Sequence, residues 1–528
     1  MRDRIKKVHI TAMISAVYFA VVWITYFYIS VSTSIMLNLL LLLLMTGCSY
    51  PLIKMMTKKI RQIEIYNRSE ITLKNRLLVS SLSTLFVFSI LMIWILAYYP
   101  GSFSPDSLKQ YNQAITGVYS DWHPVWHTII FFKIPLLLFG NPASMIVMQI
   151  IYFAIIMGYL SLTVYELSSL RGSVLTILYI MLNPYTGFIL LYPWKDVAFA
   201  MGGLLSSIMV IRLMRKKDMQ MRNVELLVFP LVWTSTTLFR HNAIFFTGPL
   251  LLLFMIGLRN KKKNLYVLIS SIVLLVVIRG GLYAYLDVEK PDERVIEAMG
   301  LPLTVIGNVA KETPQLMDEE LAEFAYSIAT PQQWQGGYYC GSFNTIKWSG
   351  VNLEPVEEKG YIGMIRLMNK CFARSPRASF QAFFELTDIV YGFETGLEGD
   401  VGAGISQNDY GIAYPEERSA LSQKMQADCV AWSDFVNHTV FRYLRTYGVC
   451  IFLLILVYLS KLEIKDKSSV KKSLMILPLL AYDFGTMLLL TGADSRFFYI
   501  TFVMTPLLIV YSLHREENEN AKKVEDTF

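Results

Sequence analysis

Charge is scarce in this chain: 17% of its 528 residues are Asp, Glu, Lys or Arg, against about a quarter in ordinary soluble domains. Taken with the long apolar runs, that shortage excludes a soluble globular protein. Cysteine is sparser still. Cys48, Cys340, Cys371, Cys429 and Cys450 show no metal-ligand spacing. Cys340, Cys371 and Cys429 share one polar segment, where a disulfide is allowed but its pairing is not deducible. Walker A, the dinucleotide glycine pattern, the G-x-S-x-G elbow and HExxH are all missing, so soluble nucleotide chemistry has little support. No internal repeat is visible either, which weighs against a transporter built from two pseudo-symmetric halves.

What the chain does have is apolar length. Hydrophobic residues make up 54% and aromatics 13%. Runs such as HITAMISAVYFAVVWITYFYIS from His9 and LYVLISSIVLLVVIRGGLYAYL from Leu265 suffice to cross a hydrocarbon core of about 30 Å. A β-barrel would show short alternating segments instead. The basic amino end, MRDRIKK, precedes a long run without a small-residue cleavage site, so it reads as an uncleaved first span.

The spans expected are roughly 9–30, 32–52, 77–97, 143–164, 173–190, 197–213, 224–239, 243–258, 265–285, 445–460, 473–490 and 497–513. Basic residues cluster at Arg2–Lys7, Lys54–Arg76, Arg212–Lys217, Arg259–Lys263 and Lys461–Lys472. The positive-inside rule makes these cytoplasmic, and with them both termini; the net charge of +7 is thus an orientation signal rather than a nucleic-acid signal. The expectation is an all-α polytopic membrane protein of about twelve transmembrane helices, with a non-cytoplasmic soluble domain inserted before the last three. Its parts are a transmembrane module over 1–285, an extracytoplasmic domain over 286–442, transmembrane helices over 443–513 and a cytoplasmic tail over 514–528. The apolar run 125–140, between Pro124 and Asn141-Pro142, is short for a span and reads as a re-entrant or interfacial helix.

On this topology four outer loops each carry ionisable residues, which are costly near lipid and usually face an interior or a cavity. The first, 98–127, holds Ser104-Pro105-Asp106, an N-cap with proline at the first helical position. Asp106 there suits the helix dipole, and equally suits a base that takes a proton from an acceptor nucleophile. Asp121-Trp122-His123 and His127 follow; Asp121 with His123 can form a metal site, orient a phosphate or be interfacial. The second loop holds Lys195-Asp196, a self-neutralising pair or a phosphate-binding lysine with a positioning aspartate. The third and fourth hold Arg240-His241-Asn242 and Asp494-Ser495-Arg496, whose arginines can snorkel or grip phosphate oxygens bidentately. Glu166 and Asp483 read as packing or interfacial residues.

Tyr99-Pro100-Gly101 through Asp106 in a first large outer loop, Lys195-Asp196 in a second, and a long late outer segment together resemble the GT-C superfamily of integral membrane glycosyltransferases. The wording around Ser104-Pro105-Asp106 and Asp121-Trp122-His123-Pro124 also resembles multi-pass membrane proteins of Gram-positive bacteria. The usual Asp-Glu pair is replaced here by Asp106-Ser107. The resemblance implies sugar transfer, on the outer face of the cell membrane, from a polyprenyl-phosphate donor to a cell-wall or surface glycan acceptor. Asp106 would be the catalytic base. Lys195, Asp196, Arg240, His241, Asn242, Arg496 and Trp122 would bind substrate. No cofactor is certain; a divalent metal ion on Asp121, Asp196 or His123 is the one considered. Two other classes stay open, a non-glycosyl membrane transferase (acyl or phospho group) using His123 or His241, and a transporter.

Overall fold

A computed structural model describes residues 2–31, 35–66, 71–215, 222–257, 260–291, 294–394 and 402–515. The expected tail over 514–528 lies almost wholly outside the described residues, as do Arg68, Lys216, Lys217 and Arg259. Among the described residues every regular element is a helix, and β-pairing is confined to isolated bridges. In chain order the first helices are α1 (Arg2–Val31), α2 (Ile35–Gln62), α3 (Leu73–Ala97), α4 (Pro105–Thr116) and α5 (Val125–Phe139). There follow α6 (Ala143–Leu167), α7 (Leu170–Met181), α8 (Pro184–Leu190), α9 (Lys195–Met214), α10 (Asn223–Leu238), α11 (His241–Ile256) and α12 (Lys261–Tyr285). Later come α13 (Gly300–Glu312), α14 (Glu354–Arg374), α15 (Pro376–Tyr391), α16 (Ala420–Asn437), α17 (Tyr447–Lys461), α18 (Leu477–Met487) and α19 (Ser495–Leu513).

Among the described residues seven helices are long and apolar enough to cross a membrane, within α1, α2, α3, α6, α9, α12 and α19, or eight if the bent pair α7–α8 is one span. The protein is a helical membrane protein. Burial sorts these helices: 78% of the α9 window is buried, but only 6% of the α2 window. A helix that is apolar all round belongs in the middle of a bundle or against lipid. So α6, α9 and α19 form the middle and α2 and α12 the edge.

Two expected spans differ in physical detail. The one ending near Pro51 runs on as helix through Pro51 to Gln62, because a proline within an apolar helix is tolerated when neighbours re-satisfy the freed carbonyl. The single span expected over 173–190 is broken by 64° between α7 and α8. There Pro184 has no N–H to give, and Asn183 Oδ1 caps the new helix by accepting from Tyr185 N at 3.1 Å.

The segment expected as a separate domain is helical and docked. Helix α15 packs on α1 and α17, α16 packs on α3, and the buried residues of α13 share one apolar core with those of α6, α9 and α19. All five cysteines are free. Gly300, at the start of α13, lies so close to the loop before α19 that a Cβ there would meet the backbone oxygen of Leu490 at 2.2 Å. Gly300→Ala should therefore destabilise the fold by about 1–3 kcal/mol, read as a lowered unfolding midpoint of the purified protein; an unchanged midpoint would show that the loop moves freely.

Candidate active site

Helix α4 begins as the Ser-Pro-Asp spacing predicts. Ser104 Oγ accepts from Ser107 N at 3.3 Å, Pro105 takes the first helical position, and Asp106 falls in the first turn. Ser104 Oγ also accepts the indole N–H of Trp194 at 2.9 Å, which ties the start of α4 to the start of α9. Behind it, Ser102 N donates to Leu191 O at 2.9 Å, and Phe103 pairs with the 402–406 strand-like stretch through Gly404 O and Ser406 N. Gly101, at φ +116°, has no room for a Cβ against Ile146. The loop is thus fixed from three sides.

These supports bring distant loops together. Arg496, at the start of α19, donates to Asp106 Oδ2 at 3.2 Å; its Nε lies 2.8 Å from Asp494 and 3.8 Å from Asp196. Asp196, in the first turn of α9, is also ion-paired with Arg240, the residue before α11. Arg240 Nε donates to Asn242 Oδ1 at 2.7 Å, and Asn242 in turn donates to Thr486 at 2.8 Å. Aromatic faces complete the setting: Arg240 lies 4.1 Å from the Phe497 ring centroid and Arg496 4.9 Å from that of Trp194, which suits guanidinium groups shielded from water.

Lys195 differs from the two arginines. Among the described residues no carboxylate lies within ion-pair distance of its ammonium; the anticipated Lys195–Asp196 pair is replaced by Asp196 with Arg240 and Arg496. Its nearest polar partner is His123 Nδ1 at 3.4 Å. An ammonium can only donate, so Nδ1 accepts and the proton sits on Nε2. That Nε2 is buried with no hydrogen-bond partner. Burial, and then the Lys195 charge, push the His123 pKa well below its ordinary value, so the imidazole is neutral. Burial alone would raise Asp106, but Arg496 and then Lys195 outweigh it and hold the carboxyl down at about 2. The cluster therefore sets Asp106, Asp196 and Asp494 against Lys195, Arg240 and Arg496, with the His123 Nε2–H lacking any acceptor and the Lys195 ammonium, among the described residues, without a carboxylate at ion-pair distance. Buried donors without acceptors are costly, and an incoming anion relieves that cost.

Of the residues singled out from sequence, Asp106, His123, Lys195, Asp196, Arg240, Asn242 and Arg496 converge. Three others do not join the cluster. Asp121 pairs with Arg279 at 3.4 Å, Trp122 lies under Lys347 at 5.6 Å, and His241 is exposed. Of the two residues considered for a metal ion, Asp121 faces Arg279 and His123 Nδ1 faces Lys195; His127 Nδ1 meets Gln110 at 3.0 Å, and among the described residues no group of three or more His, Cys, Asp or Glu is placed to hold a metal ion. Sequence reasoning passed over Trp194 and Phe497 as charge partners, and treated Asp494 only as part of a motif. Their adjacency to Lys195 and Arg496 was the available signal. No family model matches the chain, and no curated protein or solved structure matches it either.

Proposed function

We propose that this protein is a membrane glycosyltransferase of GT-C type, moving a sugar from a polyprenyl-phosphate donor to a cell-envelope glycan on the outer face. The observation that carries the reading is the unmet donor His123 Nε2–H with the Lys195 ammonium, which has no carboxylate of its own, beside a carboxylate and two arginines at the ends of apolar helices. A phosphate carried on a lipid tail supplies the missing acceptor and the membrane depth. The sidedness follows from the basic clusters. A twelve-span topology with both termini inside requires the bent pair α7–α8, the shorter helices α10, α11 and α17, and the stretch ending in α18 to cross as well. The helices between 286 and 442 then lie on the outer side.

In the reaction, Asp106 removes the proton from an acceptor hydroxyl. That oxygen bonds to the anomeric carbon, and the carbon–oxygen bond to phosphate breaks with its electron pair leaving on the phosphate. Lys195, Arg496 and Arg240 stabilise this growing charge more than the ground state. A carboxylate at about pKa 2 is a poor base, since basicity near the working pH serves proton transfer best. The donor phosphate remedies this by drawing Arg496 towards itself, which frees Asp106 and raises its basicity only when substrate is present.

The test compares envelope glycans of a deletion strain with those of strains restored by wild-type or Lys195→Gln protein. The deletion should lack one sugar, the wild type should restore it, and Lys195→Gln should lower transfer about 10–100-fold, the worth of one charged hydrogen bond. Unchanged glycan in the deletion strain would sink the reading.

A further inference from the structure

A second built feature lies at the opposite ends of the helices, away from the charge cluster. Helices α3 and α7 both pack on α6, and the three line a groove of about 600 Å³. Its walls are apolar, with Leu78, Leu82 and Phe86 on one side and Leu170, Val174 and Leu178 on the other. Its polar residues are largely engaged. Ser83 Oγ meets Ser161 Oγ at 2.6 Å, and Ser161 Oγ meets Ser173 Oγ at 2.6 Å, so this serine chain staples α3, α6 and α7 together. A hydrocarbon chain can lie over such a floor without stripping water from an unmet group.

One end of the groove is basic. Its lining residues Asn75 and Tyr165 are sequence neighbours of Arg76 and Glu166, which pair at 3.4 Å. Arg212 and Arg215 share the same carboxylate at 3.1 and 4.0 Å, so three guanidinium groups sit on one negative charge. Lys74 and Arg171, both exposed, flank the lining residues Asn75 and Leu170. Leu170 also opens α7, whose N-terminal dipole adds to the positive potential. Basic pockets between transmembrane helices suit anionic lipid headgroups.

We propose that this groove is a specific site for an anionic phospholipid, with its phosphate among Arg171, Arg76 and Lys74 and one acyl chain along Leu78, Leu82 and Phe86. The site stands independently of the glycosyltransferase reading.

The test uses the full chain in a neutral detergent and follows the thermal unfolding midpoint, since a ligand that binds only the folded state raises it. Phosphatidylglycerol should raise the midpoint, while phosphatidylcholine and glycerol 3-phosphate at equal concentration should not. Arg171→Gln should weaken the phosphatidylglycerol effect about fivefold, the factor for one cation near an anionic headgroup. Val174→Trp, which fills the groove from its lipid-exposed wall, should abolish it without lowering the lipid-free midpoint. Equal stabilisation by phosphatidylcholine would mean ordinary lipid solvation and overturns the site. Equal stabilisation by glycerol 3-phosphate would mean a simple anion site and overturns the lipid assignment, as would a phosphatidylglycerol effect that survives Val174→Trp.

Discussion

Asp106→Asn should reduce glycan transfer by about 10²–10⁴-fold, the usual contribution of a positioned general base, while leaving the protein folded and inserted. The amide keeps the size of the carboxylate and its N-cap turn, so what disappears is the proton acceptor and the charge facing Arg496. The pH dependence separates this role from a structural one. With its carboxyl held at about 2, Asp106 is ionised throughout the range in which the protein is folded, so kcat/KM, which reports the free enzyme, should be flat between about pH 5 and 8. A bound phosphate that takes Arg496 away raises the Asp106 pKa, so an acid limb should appear in kcat at a higher pH than any in kcat/KM. The sign is fixed: activity falls as pH drops through the pKa, because the protonated carboxyl cannot accept a proton. Equal activity of Asp106→Asn and wild type would remove Asp106 from the mechanism.

The second large effect is on stability. Asp196 and Arg240 have side chains only 1% and 8% exposed, and breaking a buried ion pair from one side typically costs about 3–5 kcal/mol, because the survivor is left charged and unpaired. Arg240→Met should lower stability by that amount, moderated by Arg496 at 3.8 Å from Asp196. The double replacement Arg240→Met with Asp196→Leu should recover most of the loss while still abolishing transfer. Unfolding midpoints of the two single variants and the double variant form the cycle. Additive losses would mean that the pair does not interact in the folded protein.

The helices were readable from sequence because lipid demands continuous apolar length, and the N-cap at Ser104 because its chemistry is local. Less legible was anything decided across the bundle. Asp196 reads as the partner of its neighbour Lys195, yet adjacent residues on a helix face different ways, and the structure gives Asp196 to Arg240 and Arg496. The docking of 402–406 on Phe103 rests on backbone hydrogen bonds between residues some 300 positions apart, which leave no side-chain pattern. Trp122 and His241 sit beside site residues in sequence, but Trp122 lies against Lys347 and His241 is exposed.

The ion pair between Asp106 and Arg496 joins residues 390 positions apart, and that separation sets an order for assembly on the ribosome. At about 5–20 residues per second, some 20–80 s pass between the synthesis of the two partners. During that interval Asp196 already has Arg240, only 44 positions later, so the most buried carboxylate of the cluster has its counter-charge early, while Asp106 waits for the last helix. A nascent chain halted before Arg496 would hold most of the anion site and a more basic Asp106, yet lack the residue that ties that basicity to the donor. The latch is the last part of the site to be made.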